Sequence, residues 1–480
     1  MSNMFTGCAS LTSLNFKNFN TKNVITMENL FLSCNKLISL DLSNYDTTKV
    51  KNMNNMFGYC RALNYLDISS FSTSLLTNMA NMFSTTISLK SLNIKNFDTS
   101  KVIYMSGMFL ETGLEMLDLS NFVTSNVQDM SNMFSYSASL TSLNIENFDT
   151  SKVTTMSGMF SKCTKLQNLS IKNFDTSNVE YMYAMFEGCS SLVNIDLSKF
   201  DTSRVESFGN MFKDCISLKS IDISNFKTGG ATMMNKMFYN CTSLTNLNLA
   251  HFDTSQVETM EQMFQDCTNL ENLDVSSFKG NKINTISDMF KNCITLKNLY
   301  LSNFNTPQLK YMSNLFSNCK SLKSLDISKL ETSLITQMNN IFENCQSLTE
   351  IDLKHFETEE VKTMKSMFSG CSKLSNLNLQ TFNTKNVKNM NSMFKDCNKL
   401  TSLNLNSFDT TSVTEMGNMF DSCTDLKLLN ISSFDTQNCN NFDKMFENCD
   451  GMDLYLDTQK CSNLIQKIPS YVNYHNYKKD

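Results

Sequence analysis

The sequence predicts an α/β solenoid whose coils each contain one short parallel strand, a turn and a short helix. Three observations support this fold class: a motif that recurs every 26 residues, an alternating strand pattern, and a helix-like apolar stripe within each copy. Repeats of this length bury a common core by stacking on their neighbours, so the chain is predicted to form one solenoid over residues 1–450.

The repeat is defined by a Phe that follows Met in most copies and is taken as position 0 of each coil. It occurs eighteen times, and every interval is 26 residues except one of 25 residues between Phe109 and Phe134. The first copy is truncated. Residues 451–480 lose the period and are predicted to cap the last coil, with Leu454 and Leu456 as a final strand and Leu464 and Ile468 on the inner side.

The strand is predicted at positions 9 to 11, where apolar and polar residues alternate, as in Leu66-Asp67-Ile68-Ser69. The turn follows as Phe-Asp-Thr-Ser, for example at residues 148–151, because these polar side chains bond nearby backbone groups. Position 16 is Thr in nearly every copy, with Gly280 as the exception, and turn or cap duty is favoured over a water-ordering Thr surface.

The helix is predicted from the spacing i, i+3, i+4, i+7 of large apolar side chains. Met53, Met56, Phe57 and Cys60 show this spacing, which forms one stripe on about two helical turns. The stripe indicates a short helix that packs its apolar side against the strand of the same coil.

Cys occupies position 3 in fifteen of the eighteen copies, and Thr86, Thr112 and Ser137 replace it in three successive ones. Closely spaced Cys pairs of the zinc type are absent from the sequence, so no metal site is predicted. Disulfides between coils would require distorted geometry. The cysteines are therefore predicted to be small buried residues. The irregular stretch from Phe83 to Leu140 is predicted to change the curvature or to form a specialised contact, with relaxed selection left open.

Composition limits the partners. The net charge of −5 does not indicate a basic surface for nucleic acid. The sequence contains no run of about 18 apolar residues, the length needed to span a bilayer.

Catalysis needs one specific arrangement of functional groups at a single place, whereas repeats present the same residues throughout. His251 and His355 lie four copies apart and are predicted not to cooperate. The sequence therefore predicts no enzyme and no cofactor.

Position 10 on the strand points away from the core and carries Asp or Asn in most coils. We predict that this column is a hydrogen-bonding face for a protein or a glycan; the alternative is that it only keeps an exposed sheet soluble. A calcium ladder is not predicted, because the glycine-and-aspartate nonapeptide is absent from the sequence. The candidate binding residues are Asn15, Asp41, Asp67, Asn93, Asp118, Asn144, Asp196, Asp222, Asn248, Asp274, Asp326, Asp352, Asn378, Asn404 and Asn430.

The recurring pattern MFxxCxxLxxLxI, as in residues 419–431, resembles the BspA-like leucine-rich-repeat surface proteins of the 26-residue mycoplasma lipoprotein type. The resemblance covers about residues 1–450. It implies a right-handed, leucine-rich-repeat-like solenoid and a role in adhesion or protein binding at a cell surface, without catalytic residues. No secretion signal or anchor is recognisable in this chain, so its location stays open.

Two functional hypotheses follow from these observations. The first is a protein- or glycan-binding repeat scaffold with a role in adhesion. The second is an intracellular structural scaffold of a protist or a large virus, which the many thiols favour. The sequence identifies neither the partner nor the oligomeric state.

Overall fold

A computed structural model describes residues 1–15 and 19–477, so the last three residues of the predicted capping tail lie outside the described residues. The chain divides into two compact units. Unit 1 contains Met1–Ala231 and Asn240–Leu247, and unit 2 contains Thr232–Tyr239 and Asn248–Asp480. Each unit is a parallel β-solenoid, in which residues 26 apart along the chain lie opposite one another in neighbouring coils.

The strands are short and begin one residue before the predicted positions 9 to 11, and only some coils form them. In unit 1 they are β1 (Ser39–Asp41), β2 (Tyr65–Asp67), β3 (Met116–Asp118) and β4 (Ser142–Asn144), paired as β1–β2 and β3–β4. In unit 2 they are β5 (Asn272–Asp274), β6 (Asn298–Tyr300), β7 (Ser402–Asn404), β8 (Leu428–Asn430), β9 (Asp453–Leu456) and β10 (Asn473–Asn476). Unit 2 pairs them as β5–β6 and as a sheet in the order β7–β8–β9–β10, and all pairs are parallel.

The tail adds one further coil to unit 2. Leu454 and Leu456, the predicted final strand, lie buried in β9, which pairs with β8. The helix α1 (Ser462–Ile465) follows and buries Leu464, while Ile468 is half-buried. The chain then returns as β10 on the outer edge of β9, an additional strand that the sequence pattern did not indicate.

The predicted helix in each coil is wrong. Among the described residues, α1 is the only helix, and the Met–Phe–Cys segment of each coil is instead a ribbon of overlapping turns. The residues at positions −2 and +2 have φ values between 53° and 74°, in the left-handed region. Left-handed residues therefore flank position 0 in every coil, a pattern that an α-helix does not contain.

This ribbon divides its backbone hydrogen bonds between two directions. Asn29 and Phe31 donate their N–H groups to carbonyls of the next coil at 2.9 Å, whereas Leu30 and Leu32 donate to carbonyls three residues earlier at 3.2 Å. A helix would direct all of these N–H groups along its own axis and leave neighbouring coils unbonded. The ribbon thus satisfies the backbone hydrogen-bonding groups of its own turns and also links neighbouring coils.

The sequence carries a signal for this ribbon. Asn, Asp or Gly occupies twelve of the eighteen residues at position −2 and eleven of the eighteen at position +2. Gly has no Cβ to clash in the left-handed region, and Asn and Asp tolerate it better than other residues do. The inward side chains, for example Met53, Met56 and Phe57, nevertheless keep the spacing of a helical stripe, which is why the apolar pattern alone predicted a helix.

The core consists of columns of identical side chains. The position-0 rings, the ring column, stack nearly parallel with centroids 5.5–5.9 Å apart in each unit, as between Phe342 and Phe368. Phe57 and Phe368 are fully buried, as are the Met residues beside them. At the one-residue deletion, the N–H of Gly113 donates to the Thr86 carbonyl, and an added Cβ would lie 2.2 Å from the Ile87 oxygen. Only Gly fits this close backbone approach.

The two sides of the coils differ in how they are joined. On the side of the Met–Phe–Cys ribbon, bridges run coil by coil from Thr26 to Ser207 in unit 1 and from Gln337 to Asn441 in unit 2. On the strand side, the described residues pair only in the strand pairs and in one bridge between Glu350 and Asn376. None of the helices formed by the described residues has the length and apolarity needed to cross a membrane.

Candidate functional site

The predicted binding residues at position 10 form the strand-face column, which the structure places on the surface of both units. Most members are exposed, and three, Asp67, Asn144 and Asn430, are half-buried. Unit 1 carries Asn15, Asp41, Asp67, Asn93, Asp118, Asn144, Asp196 and Asp222. Unit 2 carries Asn248, Asp274, Asp326, Asp352, Asn378, Asn404 and Asn430.

These side chains also have a local structural role. In coil after coil, Oδ1 of the position-10 residue accepts the backbone N–H two residues later, as from Ser198 to Asp196 at 3.0 Å and from Ser276 to Asp274 at 2.9 Å. The hydrogen bonds from Ser198 hold the pKa of the Asp196 carboxyl below its ordinary value. Each side chain is therefore held in one orientation, with its second polar atom outside this bond.

The two larger surface depressions along the strand face lie where strand pairing is interrupted, and a smaller one of about 250 Å³ lies beside β2. In unit 2 a groove of about 710 Å³ follows β6, and in unit 1 a groove of about 610 Å³ follows β4. The first, the Tyr300 groove, is lined by the exposed side chains Tyr300, Asp326, Glu350, Asp352, Lys354, Asn376 and Asn378. The second, the Ser170 groove, includes Asn168, Ser170, Lys172, Asn194 and Asp196.

The predicted burial of the cysteines is confirmed. All seventeen lie within the described ranges; none forms a disulfide, and all but Cys8 are buried. Burial raises the pKa of the Cys60 and Cys319 thiols to about 12, because a thiolate would lose its hydration there. The cysteines at position 3 are called the thiol column, and burial favours the protonated form of thiols such as Cys60 and Cys319.

Each buried thiol of the column also makes a hydrogen bond that sequence reasoning missed. Sγ of Cys319 donates to the carbonyl of Phe290 in the preceding coil at 3.1 Å, and the N–H of Cys293 donates to the same oxygen at 3.1 Å. The thiol therefore satisfies the second lone pair of a buried carbonyl and joins two coils. The spacing of Cys and Phe is the signal from which this contact could have been found.

The three residues that replace Cys also place hydroxyl groups in the core, with different partners. The hydroxyl of Thr86 donates to the carbonyl of Phe83 at 2.8 Å, and that of Ser137 donates to the carbonyl of Phe109 at 2.7 Å. The hydroxyls of Thr112 and Ser137 lie 3.1 Å apart, and all three side chains are buried. Ser137 thus reproduces the bond of the thiols to the preceding coil, whereas Thr86 bonds within its own coil.

The threonines at position 16 are buried, so they present no water-ordering surface. The Thr47 hydroxyl accepts the N–H of Ser72 in the next coil at 2.8 Å and donates to the carbonyl of the same residue at 2.8 Å. The neighbouring Asp makes the turn bond instead, as from Ser151 to Asp149 at 3.0 Å. The Thr column is therefore a further link between coils.

The histidines at position 13 pack on their neighbours. His251 and His355 meet Phe252 and Phe356 edge-on at 5.2 and 4.9 Å between ring centroids. Within residues 1–15 and 19–477, no group of three or more His, Cys, Asp or Glu side chains is arranged to hold a metal ion.

Comparison with known proteins gives a family match along nearly the whole chain. The model of a family described as "Mycoplasma protein of unknown function, DUF285" matches residues 1–115, 84–174, 111–221, 167–278, 211–325, 260–376, 294–402 and 372–475. No curated protein matches the chain at a significant level.

Similar solved structures include three from bacteria. A leucine-rich repeat protein from Bacteroides ovatus is 14% identical, with 98% of this chain and 88% of that chain covered and a TM-score of 0.34. A leucine-rich cell surface protein from Faecalibacterium prausnitzii is 14% identical, with 82% of each chain covered and a TM-score of 0.26. The functional domain of InlJ from Listeria monocytogenes, which includes a cysteine ladder, is 14% identical, covers 88% of this chain and 70% of that chain, and has a TM-score of 0.19. Such low TM-scores do not establish a shared fold, so the fold assignment rests on the coils themselves.

Proposed function

The chain belongs to the DUF285 family of BspA-like leucine-rich repeats, and we propose that it is a non-enzymatic scaffold that binds a protein or glycan partner through its strand face. The cellular role that we propose for this binding is adhesion at a surface. The observation that carries the proposal is the strand-face column, in which exposed polar groups are held in one orientation by bonds to their own backbone.

Preorganisation is what gives this column its value for recognition. A side chain that is already fixed loses little conformational entropy when a partner binds, so more of each new hydrogen bond contributes to affinity. The Oδ1 bonds at Asp118 and Asp326, of 3.1 and 3.0 Å, fix the carboxylates in this way. Long polar columns of this kind suit an extended contact surface, whereas catalysis needs groups that converge in a pocket.

The other columns already have structural roles and are less suited to recognition. The rings, thiols and threonines of each coil are buried and bond to neighbouring coils. Changes there would alter the stack itself. Changes in the strand-face column leave the core intact, so this face can vary with the partner.

The test replaces Asp326, Asp352 and Asn378 together by Lys and measures binding of the intact chain to arrays of purified glycans and extracellular proteins. We expect the triple variant to lose the partners of the parent chain, because the substitutions reverse the charge of three exposed rungs. The free energy of unfolding is expected to change little, since substitutions of exposed side chains usually change it by no more than about 0.5 kcal/mol. Loss of the hydrogen bonds from these side chains to the backbone adds to this change.

The matched control replaces Glu331, Glu357 and Gln308 by Lys. These residues are exposed, lie in the same coils or their immediate neighbours at the turn that follows the strand, and give the same change in net charge. The control variant is expected to retain binding. Equal loss of binding in the two variants would show a nonspecific charge effect, and retained binding in the strand-face variant would refute the proposal.

A further inference from the structure

We propose that the Tyr300 groove of unit 2 is a carbohydrate-binding subsite, an inference that rests on the proposed binding role of the strand face. The groove combines an exposed aromatic ring, oriented carboxylates and hydrogen-bond donors on one concave surface. Its volume of about 710 Å³ lies within the range of about 300–1,000 Å³ that is typical of small-ligand sites.

Tyr300 is the feature that distinguishes this groove from the Ser170 groove, whose lining residues include no aromatic side chain. It stands in a column that otherwise carries Asp, Asn or Ser, and its side chain is 56% exposed. Tyr300 is the last residue of β6, and the equivalent residues of the next coil, 324–326, form no strand pairing. The ring therefore lies at the edge of an unpaired stretch of the strand face. A flat ring with a polar tip offers an apolar platform for the C–H face of a sugar and a hydroxyl for its rim.

The carboxylates beyond the ring are fixed acceptors. Oδ1 of Asp326 accepts the N–H of Ser328 at 3.0 Å, and Oδ1 of Asp352 accepts the N–H of Lys354 at 3.1 Å. These bonds leave the second oxygen of each carboxylate outside the backbone cap. Hydrogen bonds from sugar hydroxyls to ionised carboxylates are among the stronger ones, at about 2.5–2.7 Å.

The groove also supplies donors, and this favours a sugar over a basic peptide. The Asn378 Oδ1 accepts the N–H of Gln380 at 3.1 Å, which orients its amide nitrogen, and the Lys354 ammonium lies 3.8 Å from Asp352. Sugar hydroxyls both donate and accept, so they use acceptors and donors together. A basic peptide would use the carboxylates alone and would meet the charge of Lys354 as a repulsive element.

The Ser170 groove of unit 1 is an internal control. It lies at a similar interruption of strand pairing and has a similar volume, about 610 Å³, with Asn, Lys and Asp side chains in its wall. Ser170 occupies the position that corresponds to Tyr300, so the aromatic platform is missing there. The proposal therefore assigns carbohydrate affinity to the Tyr300 groove and not to the Ser170 groove.

The experiment measures binding of the intact chain to an array of neutral and acidic oligosaccharides, followed by calorimetry with the best binder. Tyr300→Ser, which copies the Ser170 groove, is expected to weaken binding about tenfold or more, and Tyr300→Trp to retain it. Asp326→Asn is expected to weaken binding as well, because the amide oxygen keeps the backbone cap but loses the charge. Asp196→Asn is the matched control in unit 1 and is expected to leave affinity unchanged.

Unfolding curves of all variants show whether a loss of affinity reflects a loss of fold, and Tyr300→Trp provides a second comparison that keeps an aromatic ring. Undiminished glycan affinity in Tyr300→Ser, or capture of poly-lysine but of no oligosaccharide, overturns the inference. If the parent chain binds a purified protein through the strand face but no glycan, the subsite fails while the proposed scaffold function stands. If neither array is bound, both fail.

Discussion

The Met–Phe–Cys ribbon and the strand face of the same coils differ in how they bond to neighbouring coils and in how variable their side chains are. The ribbon is hydrogen-bonded to its neighbours in coil after coil and buries nearly identical side chains, whereas the strand face is paired only at intervals and exposes side chains that differ from coil to coil. In a parallel solenoid, backbone pairing between strands is one way in which neighbouring coils are joined. Here the ribbon of turns has taken over that task.

This difference follows from where the backbone groups point. Left-handed residues recur among right-handed ones in the ribbon, and every second N–H group therefore points along the stack. Each coil thus offers several donors to the next coil, as at Asn29 and Phe31. The thiols and the Thr hydroxyls add further links, as at Cys319 and Thr47. Because the ribbon holds the stack, the strand face can lose pairing locally, and the two grooves occur where it does.

The comparison would break if removal of a ring from the ribbon cost no more than removal of one from the strand face. Phe368→Ala is expected to destabilise unit 2 by about 3–5 kcal/mol, because it leaves a cavity between two stacked rings. The neighbouring ring centroids lie 5.5 and 5.8 Å away, at Phe342 and Phe394. Tyr300→Ala on the strand face is the control, with an expected change within about 0.5 kcal/mol. Denaturant unfolding measures both, and similar midpoints would contradict the division between the two sides.

A second substitution tests whether the left-handed residues hold the ribbon. Asn314 has a φ of 58°, and its Oδ1 accepts the Asn340 amide at 2.8 Å. Asn314→Ala is expected to cost about 1–2 kcal/mol through backbone strain alone. Asn314→Gly loses the same amide contact without that strain, so it should be the more stable of the two variants in thermal unfolding. The reverse order would show that the left-handed backbone at position −2 is not a source of strain for Ala.

The smallest expected effect separates packing from hydrogen bonding in the thiol column. Cys319→Ser keeps a donor for the Phe290 carbonyl, as Ser137 does for Phe109, whereas Cys319→Ala removes it. We expect the Ser variant to be more stable than the Ala variant by about 1 kcal/mol in denaturant unfolding. The same pair of substitutions at the exposed Cys8 should show no difference. A more stable Ala variant at position 319 would mean that the thiol acts only as an apolar filler.

Sequence reasoning found the columns but mistook the backbone between them. The period, the buried Met, Phe and Cys side chains and the exposed position-10 residues were all predicted, since each depends on apolarity and on repetition. The helix was wrong because Met53, Met56, Phe57 and Cys60 have the same spacing in a ribbon of turns as in a helix. The Asn and Gly residues at positions −2 and +2 were the evidence against a helix, and they were not used.

The candidate surface was predicted only in outline. Asp326, Asp352 and Asn378 were identified from their place in the alternation, and their exposure agrees with that prediction. Tyr300 is an exception in the column, and its role in a groove was not predicted. A groove depends on where strand pairing stops, and pairing depends on backbone positions in two coils at once.

By itself, the sequence determined that 26-residue coils stack in register, because identical apolar side chains at a fixed period can be buried only by their copies. It also determined which residues line the core. The tertiary structure alone decided that the Met–Phe–Cys segment runs as a ribbon and where the strand face opens into grooves. The physical reason is that these features arise from hydrogen bonds between coils, whereas the apolar pattern reports only which side of each coil faces inward.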